Sequence, residues 1–261
     1  MELFFDHILC QQSDKDLNFA LVSAYFEKDE EEYALENGWV PFTSWYDYKS
    51  NFSIKSYLEN KTIWVQVRSS RINVSEFTLN KNQRRLLKNN IQTKFFDNIE
   101  FLDFESIYNV YISYCNYKHF GDIKPFDQFI SRYKNDVIKY LCYFDNEELV
   151  AYCMVEFLGK SLFSHQFCWN YHNPSLSLGT FSQIQEVDLA KSREINHVYI
   201  GAVAEKFGEY KTKFNGFEYW NGRTWEKSDS FLINLLEKDS NVQRLDELYK
   251  FTLEYIKQKK L

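Results

Sequence analysis

The chain has 261 residues, 31 basic and 37 acidic, for a net charge of −6 at neutral pH. That length accommodates one large domain or two small ones with a core of their own, and 44% hydrophobic with 26% charged residues excludes a disordered or fibrous chain. No apolar run approaches the ~20 residues of a membrane helix, and Met1-Glu2-Leu3-Phe4-Phe5-Asp6 lacks a basic leader, so a cytoplasmic setting is expected. Aromatic residues reach 19%, and rings in that number belong in half-buried strands and pocket walls. Cys10, Cys115, Cys142, Cys153 and Cys168 form no C-x-x-C pair and are expected to be reduced, mostly buried thiols.

In chain order, residues 17–26 read as a strand, and the acidic run 27–32 leads into a short helix ended by Asn37-Gly38. Residues 39–48 are aromatic strand or loop, and 63–68 alternate as a strand. The charge then changes sign: Lys61, Arg68, Arg71, Lys81, Arg84, Arg85, Lys88 and Lys94 stand against Glu76 alone. Asn80 suits the N-cap of a helix over 81–88, whose Lys81, Arg84, Arg85 and Lys88 share one face at i, i+3, i+4 and i+7. Such a stripe on an acidic protein reads equally as a solvated face or as a phosphate-backbone site.

Residues 104–117 and 126–133 read as helices, and 138–144, 149–157 and 161–171 as a three-strand meander with turns at 145–147 and 158–160. A loop over 173–179 precedes a helix over 180–192 with an apolar stripe of Phe181, Ile184, Val187 and Ala190, and a strand follows at 197–203. That order suits one sheet flanked by helices, of acyltransferase type. The N-terminus of the 180–192 helix offers free amides and a positive dipole end to a phosphate or an oxyanion. Gly179 permits close approach there, and Ser177 and Thr180 add hydroxyls, although capping alone explains such residues equally well. The glycine-rich pyrophosphate loop of coenzyme A acetyltransferases is absent, as are nucleotide-binding, zincin and nucleophile-elbow motifs. His7, His119, His165, His172 and His197 show no ligand spacing, so no metal site is expected.

Three blocks resemble the arginyl/leucyl-tRNA–protein transferases, which attach an amino acid to protein N-termini. They are Phe77-Thr78-Leu79-Asn80-Lys81-Asn82-Gln83-Arg84-Arg85-Leu86-Leu87-Lys88-Asn89-Asn90, then Ser177-Leu178-Gly179-Thr180-Phe181 with Gln185-Glu186-Val187-Asp188-Leu189-Ala190, then Val198-Tyr199-Ile200-Gly201 with Tyr210-Lys211-Thr212-Lys213-Phe214. Weaker echoes fall at Asn37-Gly38-Trp39 and at residues 114–122. The N-terminal cysteine cluster that holds an iron–sulfur centre in part of the family is absent, so no cofactor is expected. Ala202-Val203 stand where the family has Tyr-Trp, which changes the pocket lining around 202–209.

The resemblance implies an α+β, GNAT-like acyltransferase fold with a mixed, mostly antiparallel sheet, divided into an N-terminal region 1–95 and a transferase domain 96–261. It implies an aminoacyl-tRNA donor of Leu or Arg and acceptor proteins with N-terminal Asp or Glu, and no membrane partner. Lys81, Arg84, Arg85 and Lys88 would meet tRNA phosphates. Ser177, Gly179 and Thr180 would hold the 3′ adenosine or the ester carbonyl. Gln185 and Glu186 follow one turn in, with Glu186 the candidate to bind or deprotonate the amine, or else a salt-bridged or exposed helix residue. Tyr199, Tyr210 and Lys211 would line the aminoacyl or acceptor pocket, with strand packing the competing account of Tyr199. A non-catalytic tRNA-binding homologue and an acyl-coenzyme A N-acyltransferase are the competing functions.

Overall fold

The computed structural model describes residues 1–12, 15–41, 47–49, 53–58, 62–119, 123–171, 173–204, 206–227, 230–239 and 257. Strands β1 (Glu2–Gln12) and β2 (Lys15–Tyr25) precede helix α1 (Glu31–Glu36), after which come β3 (Val40–Pro41), β4 (Asp47–Lys49), β5 (Ser53–Leu58) and β6 (Thr62–Asn73). Helix α2 (Lys81–Leu86), strand β7 (Gln92–Phe96), and helices α3 (Phe104–Lys118) and α4 (Phe126–Tyr133) lead to the strands β8 (Lys139–Asp145), β9 (Glu148–Leu158) and β10 (Ser161–Trp169). Helix α5 (Leu178–Ser192) and strand β11 (His197–Val203) follow, then β12 (Phe217–Trp220), β13 (Trp225–Lys227) and α6 (Ser230–Asp239).

Residues 1–73 and 201–261 make one compact unit, and residues 74–200 a second. The chain therefore leaves the first unit after β6 and returns to it at Gly201, where a single break after residue 95 was expected. In the first unit β1 pairs with β2, β2 with β4 and β4 with β3, all antiparallel. There too β6 pairs antiparallel with β5 and with β12, and β12 with β13. Arg68 and Arg71, read from sequence as part of a basic run, are buried in this unit. Arg71 holds Glu218 at 2.7 Å and lies 4.1 Å from the Trp225 ring centre. Lys61 lies outside the described residues.

In the second unit β7, β8, β9 and β10 form an antiparallel meander. Chain reversal through α5 then lays β11 parallel to β10, with Ser161–Phe163 opposite His197–Tyr199. A meander followed by a helix and a strand parallel to its last member is the α+β, GNAT-like arrangement implied by the sequence resemblance. Helix α3 buries Ile107, Val110, Tyr111 and Cys115, and α4 buries Phe129. Between helices and sheet lie Tyr140, Tyr143 and Tyr152, all fully buried. Burial of rings on this scale supplies most of the local driving force. The described thiols Cys115, Cys142, Cys153 and Cys168 are free and buried as expected, and burial raises the thiol pKa of each, for Cys142 and Cys168 to about 12.

Candidate functional site

The expected basic helix is present but short. Asn80 caps α2 by accepting from the Gln83 amide, while the Gln83 side chain accepts from the Asn80 amide, a reciprocal capping box. Gln83 is buried, and Lys81, Arg84, Arg85 and Lys88 are all exposed, Lys88 lying just past the helix end. Among the described residues none of these four side chains meets an acidic partner. The Asn89 amide reaches the Leu176 carbonyl at 3.5 Å, which ties the end of this basic segment to the loop that enters α5.

That loop is a 3-10 turn over Pro174–Leu176, and Ser177 leaves it in the left-handed region at φ 47°. The Ser177 side chain makes no cap bond, whereas its carbonyl accepts from the amides of Thr180 and Phe181. Gly179 lies over Phe167, where an added Cβ would sit 3.7 Å from the ring. Ser177, Gly179 and Thr180 lie at the N-terminal end of α5, where the Thr180 and Phe181 amides are taken up by the Ser177 carbonyl. Gln185 is half-buried in the next turn.

Glu186 differs from expectation. It is 1% exposed, and its Oε1 accepts from the Ser182 hydroxyl at 2.7 Å, while Ser182 and the Tyr143 hydroxyl are 2.9 Å apart. Position 186 is i+4 from Ser182 and i−4 from Ala190, so it falls inside the wide buried arc of α5, which also takes in Gln183. Its carboxylate faces the core, not a solvent-borne amine. Tyr199 is likewise buried in β11, at 1% exposure. Tyr210 and Lys211 belong to the other unit, on the 3-10 segment Lys206–Lys213. The Lys211 ammonium donates to the Ala202 carbonyl at 2.8 Å.

The structure adds a pair that sequence reading passed over. The β9–β10 register shifts between Ser164 and Gln166, so His165 is the extra residue of a β-bulge. Its Nε2 lies 2.7 Å from the Glu156 carboxylate, and both side chains are buried. Burial lowers the His165 pKa below its ordinary 6.5, against an opposing pull from Glu156. Between the lowered folded value and 6.5 the unfolded chain binds more protons than the folded one, so stability rises with pH across that window. The contribution is present above pH 6.5 and is lost as the pH falls from there through the folded value. Urea unfolding between about pH 5 and pH 7.5 should show this decline, and His165→Asn should flatten it. An equally steep decline in the variant would assign it to other groups.

Among the described residues no helix is long and apolar enough to cross a membrane, and no group of His, Cys, Asp and Glu is placed to hold a metal ion. The sheet of the second unit thus carries an exposed basic segment tied to the loop that enters α5. Residues 106–221 match the family described as arginine-tRNA-protein transferase, C terminus. An aspartate/glutamate leucyltransferase of Paracoccus denitrificans (strain Pd 1222) is 27% identical over 181 residues, 60% of this chain and 63% of that protein. A protein of the same name from Teredinibacter turnerae is 24% identical over 170 residues, 61% of this chain and 68% of that one. Among solved structures, FemX aligns with a TM-score of 0.43 and 7% identity over 76% of this chain and 79% of that one. Over residues 106–221 the chain is thus similar to the arginyl/leucyl-tRNA–protein transferases. The match spans 63% and 61% of the lengths of its relatives from Paracoccus denitrificans and Campylobacter jejuni subsp. jejuni serotype O:6.

Proposed function

We propose that the protein transfers leucine or arginine from charged tRNA to the α-amine of proteins that begin with Asp or Glu, in the cytoplasm. The observation that carries this reading is that the family match over 106–221 takes in β8, β9, β10, α5 and β11, the part of the fold where the helix-entry site lies. The names of the relatives favour leucine as the transferred residue. In the reaction the amine nitrogen attacks the ester carbonyl. A C–N bond forms, the bond to the ribose oxygen breaks, and the tRNA 3′ hydroxyl leaves with a proton. The ester is already activated, and an α-amine with a pKa near 7.7–8.0 is partly neutral at cytosolic pH. Positioning and an oxyanion donor are therefore the main requirements. Lys81, Arg84, Arg85 and Lys88 hold phosphates. The α5 entrance, with Ser177, Gly179 and Thr180, receives the 3′ end, and Gln185 lies one turn further in. Glu186 serves by holding Ser182, and through it Tyr143, behind that entrance.

Transfer of radiolabelled leucine and, separately, arginine from charged tRNA to peptides beginning Asp, Glu, Lys or Arg tests the reading. Label on acidic starts from one donor supports it, and label confined to basic starts overturns the acceptor assignment. A folded protein that binds charged tRNA and labels nothing is a non-catalytic tRNA binder. Gly179→Ala gives a sharper check of the site. The added methyl meets Phe167 only at ordinary contact distance, and alanine is the better helix former by about 1 kcal/mol. The variant should fold at least as well and lose transfer by tenfold or more. Undiminished transfer would remove the α5 entrance from the site.

A further inference from the structure

Helix α3, strand β10 and the turn after it carry a set of aromatic rings that runs from the core, where Phe167 packs edge-on against Tyr143, to the surface. Phe167 and Trp169 alternate along β10 and so share one face, and Tyr171 follows in the turn beyond it. Phe167 and Trp169 stack with centroids 5.1 Å apart, and Trp169 lies 4.8 Å from Tyr171. From α3, Tyr114 approaches Trp169 at 4.6 Å, and Tyr117 stacks on Tyr171 at 3.3 Å with the planes 7° apart. The buried stripe of α3 consists of Phe104, Ile107, Val110, Tyr111 and Cys115 and includes neither Tyr114 nor Tyr117. Tyr117 is 55% exposed, and Phe167, Trp169 and Tyr171 are each half-buried. The Lys118 ammonium stands 5.5 Å from the Trp169 ring and 5.8 Å from Tyr171.

This ladder runs from the ring beneath Gly179 at the α5 entrance out to the surface at Tyr117. The loop joining Tyr171 to α5 is the one tied to Asn89, at the end of the exposed basic segment. Successive rings that reach the surface beside a cationic side chain are what an unpaired nucleic-acid strand recognises, because every base has a face to stack and every nucleotide a phosphate. Resting on the donor assigned above, we propose that Phe167, Trp169, Tyr171, Tyr114 and Tyr117 form the stacking surface for the unpaired 3′ end of the donor tRNA, with Lys118 meeting its backbone. The single strand is guided along the rings to the α5 entrance, while the basic segment holds the duplex stem.

Two labelled RNA hairpins with the same stem, one ending in unpaired ACCA and one blunt, test this by fluorescence anisotropy. The wild-type protein should bind the overhang hairpin at least tenfold more tightly. Tyr117→Ala, at an exposed position, should reduce that preference by roughly five- to a hundredfold, the usual strength of a base–ring stack. Blunt-hairpin affinity and salt slope should stay unchanged, and Tyr117→Phe should keep the preference. Equal wild-type binding of both hairpins, or a preference untouched in Tyr117→Ala, overturns the proposal and leaves the tRNA donor standing. Binding of neither hairpin removes both.

Discussion

Gly38→Ala is expected to destabilise the first unit by about 2–5 kcal/mol and to lower the melting temperature by roughly 4–20 °C. Two independent terms add. Gly38 closes α1 at φ +77°, with its amide bonded to the Leu35 carbonyl at 3.0 Å. A side chain in that left-handed region costs about 1–2 kcal/mol. An added Cβ would also lie 2.4 Å from the Trp220 ring, which cannot easily retreat. Trp220 is 7% exposed and packs edge-on against Trp225 at 5.4 Å, and the Trp225 indole is tethered to the Glu36 carbonyl at 2.7 Å. Overpacking of that kind adds about 1–3 kcal/mol. Against a total stability of about 5–15 kcal/mol the sum is large. Pairing the variant with Trp220→Leu separates the terms, because clearing the ring should restore the packing part and leave the backbone part. A Gly38→Ala protein melting within about a degree of wild type would mean that the glycine–tryptophan contact does not constrain the fold.

Gly38 also shows what kind of information the sequence carries. As a helix stop it was legible from Asn37-Gly38 alone, because a C-terminal glycine is a local signal. The same holds for the Asn80 cap, the apolar stripe of α5 and the meander turns, each set by residues within a few positions of one another. Features that depend on cross-strand partners were not legible. The bulge at His165 exists only relative to the register of β9, and its pairing with Glu156 follows from that offset. Arg68 and Arg71 counted as surface charge until β12 brought Glu218 to the latter. Glu186 lies between the two cases. Its i+4 relation to Ser182 was available, but without the third dimension a carboxylate on a helix reads as solvated, and only Tyr143 on the neighbouring strand shows why that arc faces inward. The return of the chain to the first unit at Gly201 has no local signal at all.

The double variant Arg84→Ala, Arg85→Ala should weaken tRNA binding and lower the slope of log affinity against log salt by about two. The reason is counterion release: each cation seated on a phosphate frees nearly one bound counterion, and the gain shrinks as salt rises. A change of that size corresponds to roughly thirtyfold weaker binding at 0.15 M salt if the two proteins converge near 1 M. The geometry makes the test clean. Both arginines are exposed in the last turn of α2, and the helix is held by the Asn80–Gln83 capping box and the buried Gln83, none of which the substitutions touch. The only structural loss is a favourable charge near the helix C-terminus, about 0.3–1 kcal/mol each. Arg84→Lys, Arg85→Lys keeps the charge and should keep most of the slope, which separates phosphate contact from loss of fold. Parallel salt lines for wild type and the alanine variant would return the stripe to a solvated face. Any salt dependence shared by the two proteins would then come from cations other than these two arginines.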